Sequence, residues 1–361
     1  MPGRFVINAC LAPGWFRGLQ VASCLMWSAI GAAAQDLRLP LQAGHQDLAL
    51  YVLTQRESRV SPDGRALLHN QGFLHDPQGA ALQRLPSGHA LTPTLRHDTN
   101  INDGIPSDTI NIGGLEFTVT EDSRAKDAVL AGLQYARWDR FSLGPASRLT
   151  VTQLYLAEIE PTYGYDHFAA NVRICADRPV ADWTWADACL SGGYDNDSID
   201  EDRSVTGSIG GRRMFNSPVG FHQAQFSVAR TAMDDYQKSV LQLGLVTLTP
   251  EHGMWSVNAL LGEKIPGENS MRYFAGLEWS GELLERQVTL GASHMRTDGA
   301  ALFGVDRVDD ISRLSVSTVA GRFDLGGYVE NQQSTIDAYD STNIGMTFGL
   351  RYDLMTALAL R

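Results

Sequence analysis

Two cysteines are the residues of this chain whose type and spacing most clearly predict chemistry. Cys175 and Cys189 flank the turn-forming segment 178–182, which lies midway between them. If the flanking arms pair as an antiparallel hairpin, the cysteines face each other with Cα atoms about 4.5–5.5 Å apart, a separation that suits a disulfide. We therefore predict a Cys175–Cys189 disulfide formed in an oxidising compartment. The alternative is two unpaired thiols in a shifted register.

An acidic stretch and nine histidines are the other residues that could do chemistry. The stretch 195–202 is rich in carboxylates that could bind calcium through oxygen ligands, although a solvated loop near lipopolysaccharide explains it as well. The histidines form no His-x-x-x-His pair, and His69 and His75 are near each other only along the chain. We predict no catalytic site, no cofactor and no metal site, and therefore no enzymatic activity.

The elements that would position these residues are strands of alternating polarity. Residues 344–354 alternate apolar with polar or small side chains over a length that suits a tilted bilayer-spanning strand, about 9–11 residues. The same alternation occurs in 114–120, 241–246, 255–262 and 272–280. No stretch reaches the roughly 18 apolar residues that a spanning helix needs. The sequence predicts an all-β fold, a transmembrane antiparallel β-barrel of the outer-membrane type.

The strand count predicts how this barrel closes. We count about fourteen strands between residues 108 and 354, an even number, as a barrel with both termini in the periplasm requires. Residues 91–101 are also extended, but a fifteenth strand would put the N-terminus outside. We therefore place them in the lumen or below the barrel, on its periplasmic approach, and keep sixteen strands, with 48–56 added, as the alternative. The predicted strands are 108–121, 127–143, 147–160 (with a bulge near Gln153), 167–178, 183–196, 204–215, 220–233, 237–249, 253–264, 269–281, 286–300, 309–320, 323–336 and 341–354.

The connections between these strands predict which end faces the periplasm. Short turns there should alternate with longer outer loops, such as 195–203 and 298–309. The predicted short turns are 143–147, 179–182, 216–219, 249–252, 281–285 and 321–322.

The regions outside the strands predict export and division of the chain. Arg17 precedes an apolar core at 21–30 and a small-residue site at 32–34, which predicts a signal peptide over residues 1–34. A lipoprotein processing box ending at Cys24 and an uncleaved anchor are alternatives. Residues 35–106 would lie in the periplasm or plug the lumen, 107–354 would form the barrel, and 355–361 a tail. We therefore predict a location in the outer membrane of a Gram-negative bacterium.

Charge and strand position predict the surroundings of the barrel and its lumen. A net charge of −12 argues against nucleic-acid binding, so the expected surroundings are outer-membrane lipids and lipopolysaccharide. Polar residues within the alternating runs are candidates for lining the lumen, and aromatic residues near strand ends predict two interfacial girdles. The lumen candidates are Glu116, Arg272, Glu278, Arg351 and Asp353, and the girdle candidates are Trp138, Tyr155, Trp183, Tyr194, Trp279 and Tyr352.

Two sets of residues resemble known outer-membrane sequences. Thr347, Gly349, Tyr352 and Leu354 resemble the β-signal that the barrel-assembly machinery reads. The element Asp98, Asn100, Ile101 and Asn102 resembles the opening of the C-terminal barrel of the surface lipoprotein assembly modifier family, and 306–310 and 328–340 resemble its later strands. The usual N-terminal helical-repeat domain of that family is missing here.

This resemblance implies a role in protein translocation or surface display across the outer membrane. The barrel-assembly machinery and a surface lipoprotein client would then be partners. A passive porin-like channel and a structural or adhesive barrel are the alternatives.

Overall fold

The computed structural model describes residues 35–56, 62–102, 104–112, 114–197, 201–249, 251–283, 286–302 and 304–350. Three short helices come first, and no helix of these residues is long and apolar enough to cross a membrane. They are α1 (Gln35–Gln42), α2 (Gln46–Arg56) and α3 (Pro62–Asn70). The strands are β1 (Gln83–Asp98), β2 (Thr109–Ile112), β3 (Leu115–Thr118), β4 (Ala128–Gly144), β5 (Ser147–Glu160), β6 (Tyr165–Ala181), β7 (Thr184–Asp197), β8 (Glu201–Ser217), β9 (Gly220–Met233), β10 (Gln237–Thr249), β11 (Gly253–Gly262), β12 (Ser270–Leu283), β13 (Arg286–Leu302), β14 (Val305–Ala320), β15 (Phe323–Ser334) and β16 (Ser341–Leu350).

Fourteen of these strands close into one barrel. β4 to β16 pair in chain order, and β1 closes the sheet by pairing with β16 on one side and β4 on the other. All of these pairs are antiparallel, and β2 and β3 pair only with each other. Closure leaves no free edge, so the backbone groups can be satisfied inside a bilayer. The fold is the predicted transmembrane β-barrel of the outer-membrane type.

The two faces of the wall follow the polarity of the sequence. In β11, Val257 is 47% exposed whereas the preceding Ser256 is 8% exposed. Val257 stands opposite Leu245 of β10 and Leu277 of β12, which are also exposed apolar residues. In β16, Ile344 and Met346 are exposed in the same way. Because the apolar side chains point away from the barrel axis, this outer face suits the hydrocarbon core of a membrane.

The two ends of the barrel differ in their connections. At one end, turns of two or three residues join consecutive wall strands, at the six positions predicted from the sequence. We call this the short-turn end, and short turns of such barrels lie in the periplasm. The opposite, long-loop end carries the 99–127 connection, which contains β2 and β3. β1 starts at the short-turn end, so Asp98 lies at the long-loop end.

The identity of the first wall strand corrects our prediction. Residues 91–101 were expected outside the wall and 108–121 inside it, but β1 is the first wall strand and β2 and β3 form a separate hairpin. Alternating polarity predicted a wall strand at 108–121, but β2 and β3 are four residues each and are too short to span a bilayer. Pro93 removes one ladder donor, yet it stands within β1 opposite Leu133. The element at 98–102 is therefore not on the periplasmic approach.

Two further details of the wall differ from the prediction. The register of β5 runs unbroken through Gln153 against both β4 and β6, so no bulge lies there. The phase of its apolar residues slips because Leu154 and Leu156 lie on the inner face, opposite Ala136 and Gln134. The connections expected at 195–203 and 298–309 are shorter than predicted, because β7, β8, β13 and β14 extend into them.

Candidate functional site in the barrel lumen

The lumen at the short-turn end is occupied by α1, α2 and α3 (residues 35–56 and 62–70), which we call the plug. Its central helix α2 is apolar on all sides, and each of residues 48–53 is at most 8% exposed. Leu48 and Val52 pack in one cluster with inward-facing Trp185, Met214 and Met254 of the wall. Burying such a side chain contributes about 1.5–3 kcal/mol, so this contact area holds the plug firmly.

Aromatic side chains complete the contact between the plug and the wall. Tyr51 of α2 meets Trp183 edge-on at 5.0 Å between ring centroids and lies 6.2 Å from Phe221. Trp183 sits in the turn between β6 and β7 with a positive φ of 51°. Its ring therefore faces the plug and not the lipid, which corrects its assignment to an aromatic girdle.

Four buried charges join the plug to the wall, and we call them the lock cluster. It consists of Asp47 of α2, Arg148 of β5, Asp177 of β6 and Arg212 of β8. Asp47 Oδ2 lies 2.8 Å from Arg148 Nη2 and 3.0 Å from Arg212 Nε. Asp177 Oδ2 lies 2.9 Å from Arg148 Nη2 and 2.8 Å from Arg212 Nη2. Each guanidinium thus lies between one carboxylate of the plug and one of the wall.

The charge state of Asp47 depends on these two arginines. Burial raises the pKa of the Asp47 carboxyl, but the charges and hydrogen bonds of Arg148 and Arg212 outweigh burial and hold the pKa well below its ordinary value. Asp47 therefore stays ionised. Arg148 also donates to Gln71, which donates to Gln46, so the segment after α3 is tied to the same cluster.

A second network, which we call the seam cluster, lies in the lumen nearer the long-loop end. It runs through Arg313 of β14, Tyr328 of β15, Asp98 and Arg96 of β1, Glu158 of β5, His167 of β6 and Asp195 of β7. Arg96 lies 2.7 Å from Asp98 and 3.0 Å from Glu158. His167 continues the chain, with ring nitrogens 3.4 Å from Glu158 and 3.3 Å from Asp195.

The seam cluster crosses the junction between the first and last wall strands. The Tyr328 hydroxyl donates to Asp98 at 3.0 Å, so its ring spans β16. Gly345 of β16 makes room for it, because a Cβ there would lie 2.1 Å from a ring carbon. The Arg313 guanidinium stacks 3.6 Å from the ring centroid. Side chains therefore reinforce this junction from inside the lumen.

The 98–102 element anchors the loop that follows β1. Asn100 donates its backbone N–H to Asp98 and exchanges two side-chain hydrogen bonds with the backbone of Gly104. Asn102 does the same with the far end of the loop, donating to Arg124 and accepting from the N–H of Lys126. The amide side chains thus replace strand partners where the wall ends.

Ile101 supplies the apolar contact of the same element. Its side chain is 6% exposed, and its N–H donates to the carbonyl of Lys126 at 2.9 Å. The four residues therefore fix both ends of the 99–127 connection at the rim of the barrel.

The wall between the two networks is lined by small polar side chains on one arc of the barrel. These residues alternate with the lipid-facing ones, so their side chains point inward. They include Ser227, Thr231, Ser256, Asn258, Ser293, Ser315 and Ser317.

The predicted disulfide is confirmed and faces the lumen. Cys175 and Cys189 are directly opposed in β6 and β7 and are bonded. They lie two residues from Asp177 and Asp187, and Arg173 donates to both sulfurs at 3.1 and 3.3 Å. The bond therefore links the strands just above the lock cluster.

The lumen candidates lie in different places. Glu278 stands on the inner face, opposite Ser256 and Gly291. Arg272 donates to the carbonyl of Gly262 near the long-loop end. Glu116 was wrongly placed in the lumen, because it lies exposed in the β2–β3 hairpin. Arg351 and Asp353 lie outside the described residues.

The other predicted residues fall on both faces. Tyr155, Tyr194 and Trp279 lie on the lipid face, but Trp138 points inward against Gly88, where a Cβ would lie 2.3 Å from its ring. Thr347 and Gly349 stand in β16, whereas Tyr352 and Leu354 of the β-signal, the predicted signal peptide and the tail lie outside the described residues.

The geometry of the described residues offers no metal site, since no three His, Cys, Asp or Glu side chains there could hold an ion. The His75 ring lies 2.8 Å from the Ser142 hydroxyl, and His69 lies in the last turn of α3.

Comparisons with known proteins find similarity only at low sequence identity and low TM-score. No family model and no curated protein matches the sequence. Among solved structures, the chain is similar to CdiB from Acinetobacter baumannii (10% identity, TM-score 0.39), with 73% of this chain aligned, and it spans 60% of that protein's length. It is also similar to OprB from Pseudomonas putida (7% identity, 74% of this chain and 94% of that one, TM-score 0.45) and to OccAB4 from Acinetobacter baumannii (6%, 75% and 99%, TM-score 0.40). The assignment of the chain as a transmembrane β-barrel rests on its own closed sheet.

Proposed function

We propose that this barrel is exported to the outer membrane and takes part in translocating or displaying a protein at the cell surface, through a lumen that the plug closes at rest. The observation that carries the proposal is the docking of α2 against the inner wall. An apolar helix in the mouth would block a constantly open channel, whereas it can close a conduit that opens only for a client.

The contacts of the plug suit a part that can leave. The wall strands take their backbone hydrogen bonds from one another, so the sheet stays closed without the plug. Asp47 is the only member of the lock cluster that belongs to the plug, and Asp177 remains beside both arginines when it leaves. Undocking also returns Asp47 and the two arginines to water, so hydration offsets the ion pairs that are lost, whereas removing the Asp47 carboxylate alone leaves the arginines buried.

The rest of the lumen suits an uncharged or extended client. Hydroxyl and amide side chains can hydrogen bond to a passing polypeptide backbone without selecting for its charge. The resemblance of 98–102, 306–310 and 328–340 to the surface lipoprotein assembly modifier barrel adds the client class, a surface lipoprotein. The barrel-assembly machinery would insert the chain.

The test compares a strain deleted for this protein with the same strain carrying the wild-type chain. In a strain deleted for this protein, we expect a surface lipoprotein to disappear from the cell surface, measured by protease shaving and antibody labelling of whole cells. The wild-type chain should restore display. Normal display in the deletion strain would overturn the proposal.

A passive solute channel is the second candidate, favoured by the small polar lining of the wall. Planar-bilayer recordings separate the two. A plugged conduit should show little steady conductance until residues 36–70 are removed, whereas a passive channel should conduct equally with and without the plug.

A further inference from the structure

The lipid-facing wall has a groove near the long-loop end, where β6 to β9 lie side by side. It is a shallow, open groove of about 540 Å³. Ala170, Gly192 and Ala232 leave it open because their side chains are small or absent, while Val172, Tyr194 and Val205 stand beside them. The groove is thus apolar and opens toward the membrane.

The hollow of the groove is free space and not a packing defect. A Cβ added at Gly192 or at Gly207 would meet no atom within 4 Å. Both glycines share the outer face with exposed residues, since Gly192 stands opposite Val205 and Gly207 opposite Leu190. An acyl chain could therefore lie along this surface without displacing protein atoms.

An arginine lies beside the groove, and none of the described residues offers it a carboxylate partner. Arg230 of β9 stands opposite Gly207 on the outer face. Its guanidinium donates to the side chains of Gln237 and Ser239, both neutral. A lipid-facing arginine costs about 2–4 kcal/mol at the bilayer midplane and less toward the interface, so its position favours an anion in the outer leaflet.

Two charged residues, Arg203 and Asp234, line the outer end of the groove, and both have partners. Arg203 at the outer end lies against Glu201, and Asp234 accepts a hydrogen bond from the backbone N–H of Arg203 at 3.3 Å. On the far side of the barrel, lipid-facing Arg296 lies 3.4 Å from Asp310. Arg230 is therefore the arginine of this region that offers its charge to a ligand.

We propose that this groove binds one phosphate-bearing acylated glycolipid of the outer leaflet. One acyl chain lies over Gly192 and Gly207, and a headgroup phosphate accepts hydrogen bonds from Arg230. The groove is apolar and has a cation beside it, on the half of the barrel near the long loops. It therefore selects a lipid that has both an acyl chain and an anionic head.

The experiment uses the purified full chain in neutral detergent and native mass spectrometry. The probes are bisphosphorylated lipid A, its dephosphorylated form and phosphatidylethanolamine. We expect one bisphosphorylated lipid A per barrel, with at least about fivefold weaker retention of the other two lipids, the factor that one charge–phosphate contact of about 1 kcal/mol gives. Equal retention of all three lipids would overturn the proposal.

Two variants locate the site. Arg230→Gln should lower retention of lipid A about fivefold, and Gly192→Leu should abolish it by filling the groove, which Gly192 lines. Arg296→Gln and Gly327→Leu are the matched controls, because Gly327 also faces the lipid and a Cβ there meets nothing closer than 3.7 Å. Heat-modifiable gel migration checks that all four fold. Retention unchanged in both groove variants, or a second copy of the chain held in place of lipid, would contradict the assignment.

Discussion

Charged networks occur at both ends of the lumen, but they join different parts of the molecule. The lock cluster joins a helix to three wall strands through Asp47. The seam cluster joins wall strands to one another across the junction of β1 and β16. The first therefore governs whether the plug stays docked, and the second governs whether the barrel stays closed. Variants at each end should produce separable effects.

The largest effect is expected for Asp47→Ala. It leaves two buried arginines with the single carboxylate of Asp177, and breaking a buried pair costs about 3–5 kcal/mol. The plug should undock, which planar-bilayer conductance and limited proteolysis of the N-terminal segment both measure, while heat-modifiable migration of the barrel stays normal. Glu201→Ala is the control, because its pair with Arg203 is exposed to solvent and contributes little to stability. An undisturbed, protease-resistant plug would show that apolar packing alone holds it.

A smaller effect, on the barrel and not on the plug, is expected for Tyr328→Phe. The change removes a hydrogen bond to the carboxylate of Asp98, worth about 1.5–3 kcal/mol, and keeps the ring. Denaturant unfolding in detergent should start at a lower concentration, with conductance unchanged. Tyr135→Phe, on the lipid face, is the control. Equal losses of stability in the two variants would show that the seam cluster does not help to keep the barrel closed.

Gly345→Ala should give a still smaller effect through the same residue. The new Cβ would displace the Tyr328 ring from the junction, so unfolding should become easier. In a Tyr328→Ala background the substitution should cost nothing, which gives a coupling free energy of about 1 kcal/mol in a double-mutant cycle. Additive losses would mean that Gly345 is needed for another reason.

The smallest effect is expected from moderate acid. Because the pKa of Asp47 is depressed in the folded chain, its contribution to docking is complete above the unfolded-state value of about 3.9 and is lost as pH falls from there toward the folded value. Conductance should therefore stay constant from pH 8 to 5 and rise only below about pH 4. Asp47→Asn should lack this acid-induced rise, and an opening of the wild type near pH 6 would point to a different group.

The sequence predicts the wall well where alternation is long and unbroken. β11, β12 and β16 face as expected because each strand has one apolar and one polar face. The prediction fails at β1. We excluded this strand because it contains a proline and would have made the strand count odd, and we counted the β2–β3 hairpin as a wall strand in its place. Helix α2 was missed because a helix apolar on every side shows no 3.6-residue period.

The lumen networks were missed for a different reason. Polar pairing across strands depends on register, which a single sequence does not state. One signal was present: Arg148 and Asp177 stand directly opposite each other across the β5–β6 hairpin. Opposed charges on inward positions of consecutive strands would have identified half of the lock cluster, but Asp47 belongs to a distant segment.

The apolar surface of α2 also imposes an order of events on biogenesis. The helix has eleven residues, too few to be stable alone in water. Its wall contacts at Met214 and Met254 lie far along the chain and are synthesised much later. The α2 segment must therefore remain unfolded until β11 is in place. Docking of the plug is a late step of assembly, although the plug is made before the wall strands.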